Sequence, residues 1–555
     1  MEKKITIVCL NTNTKKDYNQ GIRLNELAEM ENVKLPLPIL GALVNNKVHE
    51  LDSMLYKPCR VQFFDISSLP GNAMYLRSLY FLMFKAVSDL YPDAKLHILH
   101  SIAGGKFCEL RNLGEPLTEH VLNRLKEHMQ MLVKKNLPFR RTEMPTAEAM
   151  EEYIKHGLTD KTYLFKNRTR IYTSVYYLDD KVNYYYGYLV PSTGYLTLFD
   201  LQMYGQGFLL KLPTRKHPDS ISVTRHLPKL AAVYKQYRDW VNLIGVPYVG
   251  DLNNLVEQGK VQDFIAISEA YHEKIMANIA DEIHHRGTVK MVLISGPSSS
   301  GKTTTCKRLS VQLSVLGYHP VQISMDDFFV EREETPRDAK GNYDFEALEA
   351  LDLKLFAQCM DRLLKGEKVE IPTFNFALGK KEWKGKTIQL QPNSIILLEG
   401  IHCLNPRLTK DFDDSIKYKI FASALTSISL DSQNPIPTTD NRLVRRIIRD
   451  YRYRGYSALE TLRRWQSVRD GEDRNIFPYQ ENADVMFNTS LIIEMGILKP
   501  YATAILDEVP ETEPEYSEAI RLKKFLSYFC TISEDNLPGT SILREFVGGS
   551  SFSYK

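Results

Sequence analysis

Alternating apolar and polar positions open the chain: residues 5–10 read as a first strand. A helix-like stretch follows at 24–30. Two short apolar runs, 41–44 and 47–48, are split by Asn45-Asn46, which predicts a turn between strands. Residues 74–90 carry apolar side chains at helical spacing, 95–99 are strand-like, and 117–135 read as a second helix. From residue 163 to 210 the chain is rich in tyrosine, valine and turn residues, which predicts antiparallel sheet. Residues 262–285 read as a connecting helix with charged faces. From 288 to about 495 strand-like and helix-like segments alternate, the signature of a parallel α/β sheet. The remainder is mixed, with a loop at 510–515 and a Gly/Ser-rich end. No internal repeat is visible.

These shifts divide the 555 residues into five segments, 1–65, 66–245, 246–285, 286–495 and 496–555. Composition changes this picture little. Hydrophobic residues make up 43% and charged residues 25%, and the net charge is +3. A near-neutral balance gives no strong pull toward nucleic acid, although a sum hides local patches. The seven cysteines are scattered and form no CxxC pair, which argues against a disulfide framework or a cysteine zinc site. The basic-then-apolar start stops at Asn11 with no cleavage-site pattern after it. No apolar run reaches the roughly 18 residues that span a bilayer. The expectation is a cytoplasmic protein with no membrane contact.

The chemistry concentrates at residues 290–317. A compact apolar strand, 290–295, leads into Gly296-Pro297-Ser298-Ser299-Ser300-Gly301-Lys302-Thr303, and a helix follows from Thr304 until Gly317. Strand, Gly-rich loop and helix in this order form a P-loop. Its backbone N–H groups, from Gly296 through Ser298, Ser299, Ser300, Gly301 and Thr304, turn inward around phosphate oxygens, and the helix N-terminus adds a favourable field. Lys302 neutralises the β/γ-phosphates, and the Thr303 hydroxyl is a magnesium ligand. ATP and Mg²⁺ are therefore the expected cofactors.

Ligands of open α/β sheets bind outside the carboxyl ends of the strands. Two further strands end in acids. Residues 321–325 lead to Asp326-Asp327, where a carboxylate takes the proton of an attacking hydroxyl or holds magnesium. Residues 394–398 lead to Glu399, the place for a second magnesium ligand. A later helix carries Arg442, Arg445, Arg446, Arg449, Arg452 and Arg454, with Asp450 alone to balance them. Arg442, Arg445/Arg446 and Arg449 share a face, as a lid closing on phosphates requires.

The order of motifs resembles the uridine kinase/phosphoribulokinase family. It comprises the P-loop, Asp326-Asp327-Phe328-Phe329, Asn342-Tyr343-Asp344, Ile371-Pro372-Thr373-Phe374-Asn375-Phe376, Leu398-Glu399-Gly400-Ile401, and the arginine run from Arg442 to Asp450. The resemblance covers about 285–495. It implies that Asp326 is the general base on a nucleoside 5′-hydroxyl. By the same likeness Thr303, Asp326 and Glu399 organise magnesium, and Asp344 holds the ribose hydroxyls. Phe374 would stack on the base, Arg442 would contact the substrate, and Arg445, Arg446 and Arg449 would serve the phosphates. Pyrimidine nucleoside kinases carry a tyrosine, an acid and a histidine where this chain has Phe374-Asn375-Phe376-Ala377-Leu378-Gly379. Phosphoryl transfer is untouched by that change; uracil recognition is not, because buried polar readers dominate discrimination.

The front half resembles threonyl-tRNA synthetase. Residues 1–65 look like a TGS domain. Residues 66–245, with Leu90-Tyr91-Pro92-Asp93-Ala94-Lys95 and Gly104-Gly105-Lys106-Phe107, look like that enzyme's second N-terminal domain. The places of its HxxxH pair fall on Arg77 and Phe81, and no CxxxH occurs near 184–195, so editing chemistry is expected to be absent. His97 and His100, on opposite faces of a strand, are expected to be structural.

The expected architecture is an α/β P-loop kinase domain with a parallel sheet, preceded by two α+β domains. The expected activity is transfer of the ATP γ-phosphoryl group to the 5′-hydroxyl of a nucleoside, uridine or cytidine first. A kinase for another small alcohol is the alternative, as is an RNA- or ribosome-associated NTP-binding factor that touches RNA through its front domains. Homo-oligomerisation stays open.

Overall fold

The computed structural model describes residues 3–168, 170–337, 341, 343–375 and 378–554. Asn342, Phe376 and Ala377 of the expected motifs lie outside the described residues.

At the front, strand Lys4–Cys9 sits between Thr14–Asn19 and Cys59–Phe64, and Gly41–Val44 and Lys47–His49 complete a five-stranded sheet. The first strand buries Ile5, Ile7 and Cys9 and leaves Thr6 and Val8 between them half-buried. Asn45 and Asn46 both take positive φ, 47° and 60°, the geometry of a two-residue hairpin turn. The next region builds two antiparallel sheets, one containing Arg140–Pro145, Tyr172–Leu178 and Lys181–Asn183, the other containing Lys95–Ile102 and Gly105–Arg111. Helix Leu69–Leu90 packs beside them.

The expected sheet from residue 163 is corrected at its start. Thr159–Phe165 is a helix that buries Leu164 and Phe165, and sheet begins only at Tyr172. Tertiary packing of this aromatic-rich turn overrode its β-like composition.

His97 and His100 are both engaged in packing. Nδ1 of His97 lies 3.0 Å from the Tyr248 hydroxyl, and the His100 ring stacks on Tyr234 at 3.6 Å. Burial pushes His97 down to about 4 and His100 down to about 3, so both rings are neutral near pH 7.

Helix Val261–Arg286 leads into the second half. There β1 (Met291–Ser295), β2 (His319–Ser324), β3 (Ser394–Glu399), β4 (Lys417–Ser423) and β5 (Val485–Asn488) form a sheet of order β2-β3-β1-β4-β5. Every pair is parallel. All of β1 is buried, as is the apolar centre of β3, because helices cover both faces. Those helices include α1 (Lys302–Val315), which packs on Val261–Arg286. After β4 come α2 (Thr438–Arg454) and α3 (Ala458–Asn475), and after β5 come helix Glu494–Asp507, α4 (Tyr516–Leu526) and a C-terminal strap, residues 527–554.

The core does not respect the division between halves. Phe165, Val175 and Tyr184 from the front share one cluster with Leu443 and Val444 of α2, Phe525 of α4 and Phe546 of the strap. A fully buried ion pair, Lys161 to Asp431 at 2.9 Å, crosses the same boundary. Among the described residues no helix is long and apolar enough to cross a membrane, and all seven cysteines are free thiols.

Candidate active site

The loop after β1 is built on steric necessity. A Cβ on Gly296 would lie 1.9 Å from the Ala422 carbonyl oxygen of β4, so only glycine fits there. Ser299 (φ 57°) and Gly301 (φ 78°) are left-handed, which closes the loop and feeds the chain into α1. Lys302 opens α1 and donates to the Pro297 carbonyl at 3.1 Å. Thr303 follows, half-buried. The hydroxyls of Ser299 and Ser300 are buried without a hydrogen-bond partner among the described residues.

Three adjacent strands deliver their ends to this loop. Glu399 ends β3, in register with Ile294 of β1 and Ser324 of β2. Asp326 lies in the single 3₁₀ turn Met325–Phe328 that follows β2. The Ser324 hydroxyl donates to Glu399 Oε1 at 2.9 Å. Burial, and then the Asp326 charge, push the Glu399 carboxyl up to about 7, against the opposing effect of Lys302. Burial pulls the Lys302 ammonium down, while Glu399 and Asp326 hold it up. One ammonium and two carboxylates therefore share a half-buried site in which the two acids repel each other.

A divalent cation would relieve that repulsion. Magnesium takes oxygen ligands, uses one or two carboxylates, and completes its shell with water and substrate phosphates. The Thr303 hydroxyl with Asp326 and Glu399 is a donor set of that kind. Among the described residues no group of three or more His, Cys, Asp or Glu is arranged to hold a metal. The set thus fits a cation that shares its shell with a substrate, and does not fit an all-protein cage.

The arginine helix is wired differently from the sequence expectation. Asp450 is not its only counter-charge. Arg442 is 1% exposed, pairs with Glu472 of α3, and donates from Nε to the Ser298 carbonyl at 3.0 Å. Arg445, fully buried, forks onto Glu494 and donates to the Thr489 carbonyl at 2.9 Å. These partners lie far away in sequence, which is why the local charge count missed them. Arg446 reaches the Ser298 hydroxyl at 2.6 Å and Asp450 at 3.1 Å, and Arg449 lies 2.9 Å from Asp450. Arg442 and Arg445 thus brace the phosphate loop from behind, whereas Arg446 and Arg449 keep partial exposure at its rim.

Glu472 also accepts a 2.9 Å hydrogen bond from the Ser298 backbone N–H. Glu346 is a further acid that the motifs did not single out. Burial and then the Glu472 charge push it up to about 7, with Arg446 and Lys302 opposing. Gly471 makes room for it: a Cβ there would lie 2.6 Å from the Glu346 side chain.

Asp344 accepts from the Glu346 backbone N–H at 3.2 Å and pairs with Arg474 at 3.2 Å. Phe374 sits on the hairpin Thr373–Asn375/Lys380–Glu382, its ring 5.5 Å from that of Phe329, three residues after Asp326. The hairpin therefore stands beside the turn that carries Asp326. Thr304, on the first turn of α1, is covered by the C-terminal strap. Its hydroxyl donates to Glu545 Oε2 at 2.5 Å and lies 2.9 Å from the Tyr554 hydroxyl.

Comparison with known proteins agrees with this geometry. Residues 291–492 match the phosphoribulokinase / uridine kinase family. That match is confined to the second half, and the front half is similar to threonine–tRNA ligases. Uridine kinase of Schizosaccharomyces pombe is 31% identical over 179 residues, 32% of this chain and 35% of that protein. Threonine–tRNA ligase of Desulforamulus reducens is 28% identical over 190 residues, 34% of this chain and 30% of that protein. The chain spans about a third of the length of these curated relatives. A solved D-glycerate 3-kinase from Cryptococcus neoformans aligns at 14% identity and a TM-score of 0.23, over 48% of this chain and 89% of its own.

Proposed function

We propose that the chain is an ATP-dependent kinase of a small alcohol, with a nucleoside 5′-hydroxyl as acceptor. The observation that carries the reading is the convergence of half-buried Lys302, Asp326 and Glu399 at the ends of three adjacent parallel strands, beside a P-loop. Phosphoryl transfer needs positioning and charge stabilisation more than covalent chemistry. Lys302 neutralises the β/γ-phosphates. Asp326 accepts the hydroxyl proton as the acceptor oxygen bonds to γ-phosphorus and the bond to the β-γ bridging oxygen breaks, leaving ADP. Thr303, Asp326 and Glu399 would hold magnesium, which would offset charge on the phosphate oxygens. Arg446 and Arg449 face the transferring group from the rim, and Arg442 and Arg445 act as positioning residues.

Phe374, beside the Asp326 turn, supports a flat base, and Asp344, paired with Arg474, supports a vicinal diol as the acceptor's parts. The missing tyrosine, acid and histidine across residues 374–379 leave the choice of base open to uridine, cytidine or another nucleoside. The proposed organisation is a TGS-like segment at 1–65, a synthetase-like region at 66–245, a connecting helix at 246–285, the kinase domain at 286–495 and an extension at 496–555. The proposed location is the cytoplasm.

The test is phosphate transfer from ATP–Mg²⁺ to a panel of ribo- and deoxynucleosides, with Asp326→Asn as control. Turnover of one nucleoside that the variant loses supports the reading and names the base. ATP binding with no nucleoside turned over sinks it and directs attention to other alcohols, or to salt-dependent RNA binding through the front half.

A further inference from the structure

We propose that the junction between the front half and α4 is a second anion site, built for a small molecule that carries several phosphates. The site starts from a repeated contact. Tyr184, Tyr186 and Tyr188 alternate along one segment, and each ring has a guanidinium against it. Arg168 lies 5.9 Å from Tyr184, Arg77 lies 5.9 Å from Tyr186, and Arg141 lies 5.2 Å from Tyr188. The three arginines come from three separate parts of the front half. Arg77 is on helix Leu69–Leu90, Arg141 on strand Arg140–Pro145, and Arg168 just after helix Thr159–Phe165.

The opposite wall is α4. Tyr528 stands one turn beyond Lys524; its ring lies 5.4 Å from Arg168, and its hydroxyl bonds that of Tyr184. Arg170 is exposed at the mouth, and Lys524, Arg77 and Tyr186 keep partial exposure. Burial, then the charges of Arg168, Arg170, Arg77 and Arg141, pull the Lys524 ammonium down to about 7.

The counter-charges are too few, and they are already taken. Arg141 has Glu143 and the charge of Glu50, which also accepts from Tyr176 at 2.7 Å, so these two acids are spent on Arg141. Asp440 and Glu518 are both occupied by Arg521. Arg77 spends its hydrogen bonds on the Tyr188 carbonyl, at 3.1 and 2.9 Å. Among the described residues Lys524 has no carboxylate at ion-pair distance, and Arg168 Nε is buried without a hydrogen-bond partner.

Cation–π packing accounts for the arginine–tyrosine pairs taken singly. It does not account for an ammonium with no acid of its own, one turn before Tyr528 and on the same side as the Arg168 guanidinium that Tyr528 faces, because uncompensated like charges are costly in a partly buried place. A multiply charged anion removes that cost. Guanidinium forks match phosphate oxygens. The ring faces are already covered by guanidinium, so charge, not base stacking, is the recognition. Tyr184 closes the inner end, which suits a small ligand better than a continuous strand. The site is independent of which alcohol the kinase half phosphorylates.

The experiment is calorimetric titration of the full chain with inorganic tripolyphosphate in metal-free buffer, on a Lys302→Ala background that cripples the phosphate loop. One site is expected, weakened at least tenfold in Arg77→Gln and in Lys524→Gln, and unaltered in Arg140→Gln on the exposed strand edge. The exposed Arg170→Glu, which leaves packing alone, should weaken it as well. Affinity should rise as pH falls through 7, where Lys524 regains its proton. No binding, or equal binding in wild type and all these variants, overturns the proposal. So does a single-stranded RNA that binds through these arginines where tripolyphosphate does not.

Discussion

The Glu545 carboxylate accepts a 2.5 Å hydrogen bond from the Thr304 hydroxyl, on the first turn of the helix that follows the phosphate loop. A negative group thus stands at the positive end of α1, where a nucleotide phosphate is drawn by the same field. Tyr554 adds a second contact to Thr304, and Lys307 lies 5.9 Å from its ring. A nucleotide bound at the loop would compete with the strap for that turn. Glu545→Gln is expected to lower the apparent KM for ATP about fivefold, the equivalent of ~1 kcal/mol. Steady-state kinetics at varied ATP checks it; a raised KM would make Glu545 part of the nucleotide's own binding set.

Asp326→Asn keeps the shape of the turn and removes the proton acceptor. A drop in kcat of roughly 10²–10⁴ is expected, with KM for ATP changed far less. A kcat within a few-fold of wild type would remove Asp326 from the chemistry.

Glu399 carries a pH dependence of defined sign. Its carboxyl is raised to about 7 in the fold, from an ordinary value near 4.5. Between those values the folded protein holds the proton more tightly than the unfolded chain, so stability from this group falls as pH rises through that window. The ionised form that would bind a cation predominates only above about 7. Free protein is therefore expected to melt lower at pH 8 than at pH 5 by an increment that Glu399→Gln abolishes. Magnesium–nucleotide affinity should fall as the pH drops below 7. Melting curves of wild type and variant across that range, with and without Mg²⁺–ATP, decide it.

Arg445 and Arg449 lie on one helix and are expected to fail differently. Removing Arg445 strands Glu494 in the core. Arg445→Ala should cost about 3–5 kcal/mol of stability, as breaking a buried pair does. Arg449→Ala, at the rim, should leave the melting temperature within a degree or two and act on kcat. Differential scanning fluorimetry beside turnover separates the two; equal destabilisation would contradict the division of the helix into brace and rim.

The phosphate loop was legible because its causes are local. The apolar strand, the glycines that admit Ala422 and the left-handed turn, and the helix after Lys302 lie within about thirty residues of chain. Asp326 and Glu399 were legible because strand ends are where such sheets place ligands. The braces were not. Glu472 and Glu494 meet Arg442 and Arg445 across thirty and forty-nine positions, and no local charge pattern announces that pairing. Glu346 became visible only beside Gly471, and Glu545 only when the strap returned to α1. The tyrosine-rich run from residue 163 was misread at its start because burial of Leu164 and Phe165, not composition, decided that segment.

The mixed core has a practical bearing on how the chain can be cut. Leu443, Val444, Ile447 and Ile448 of the arginine helix pack with Phe165, Val175 and Tyr184 from the front, and with Leu522, Phe525 and Phe546 from the end. A fragment trimmed to residues 286–495 would bare that whole face of α2 to water. Such a fragment invites aggregation, and the face it loses belongs to the helix that braces Ser298 and Ser299 of the phosphate loop. Truncation from either end would thus reach the loop mechanically without removing a single residue of it.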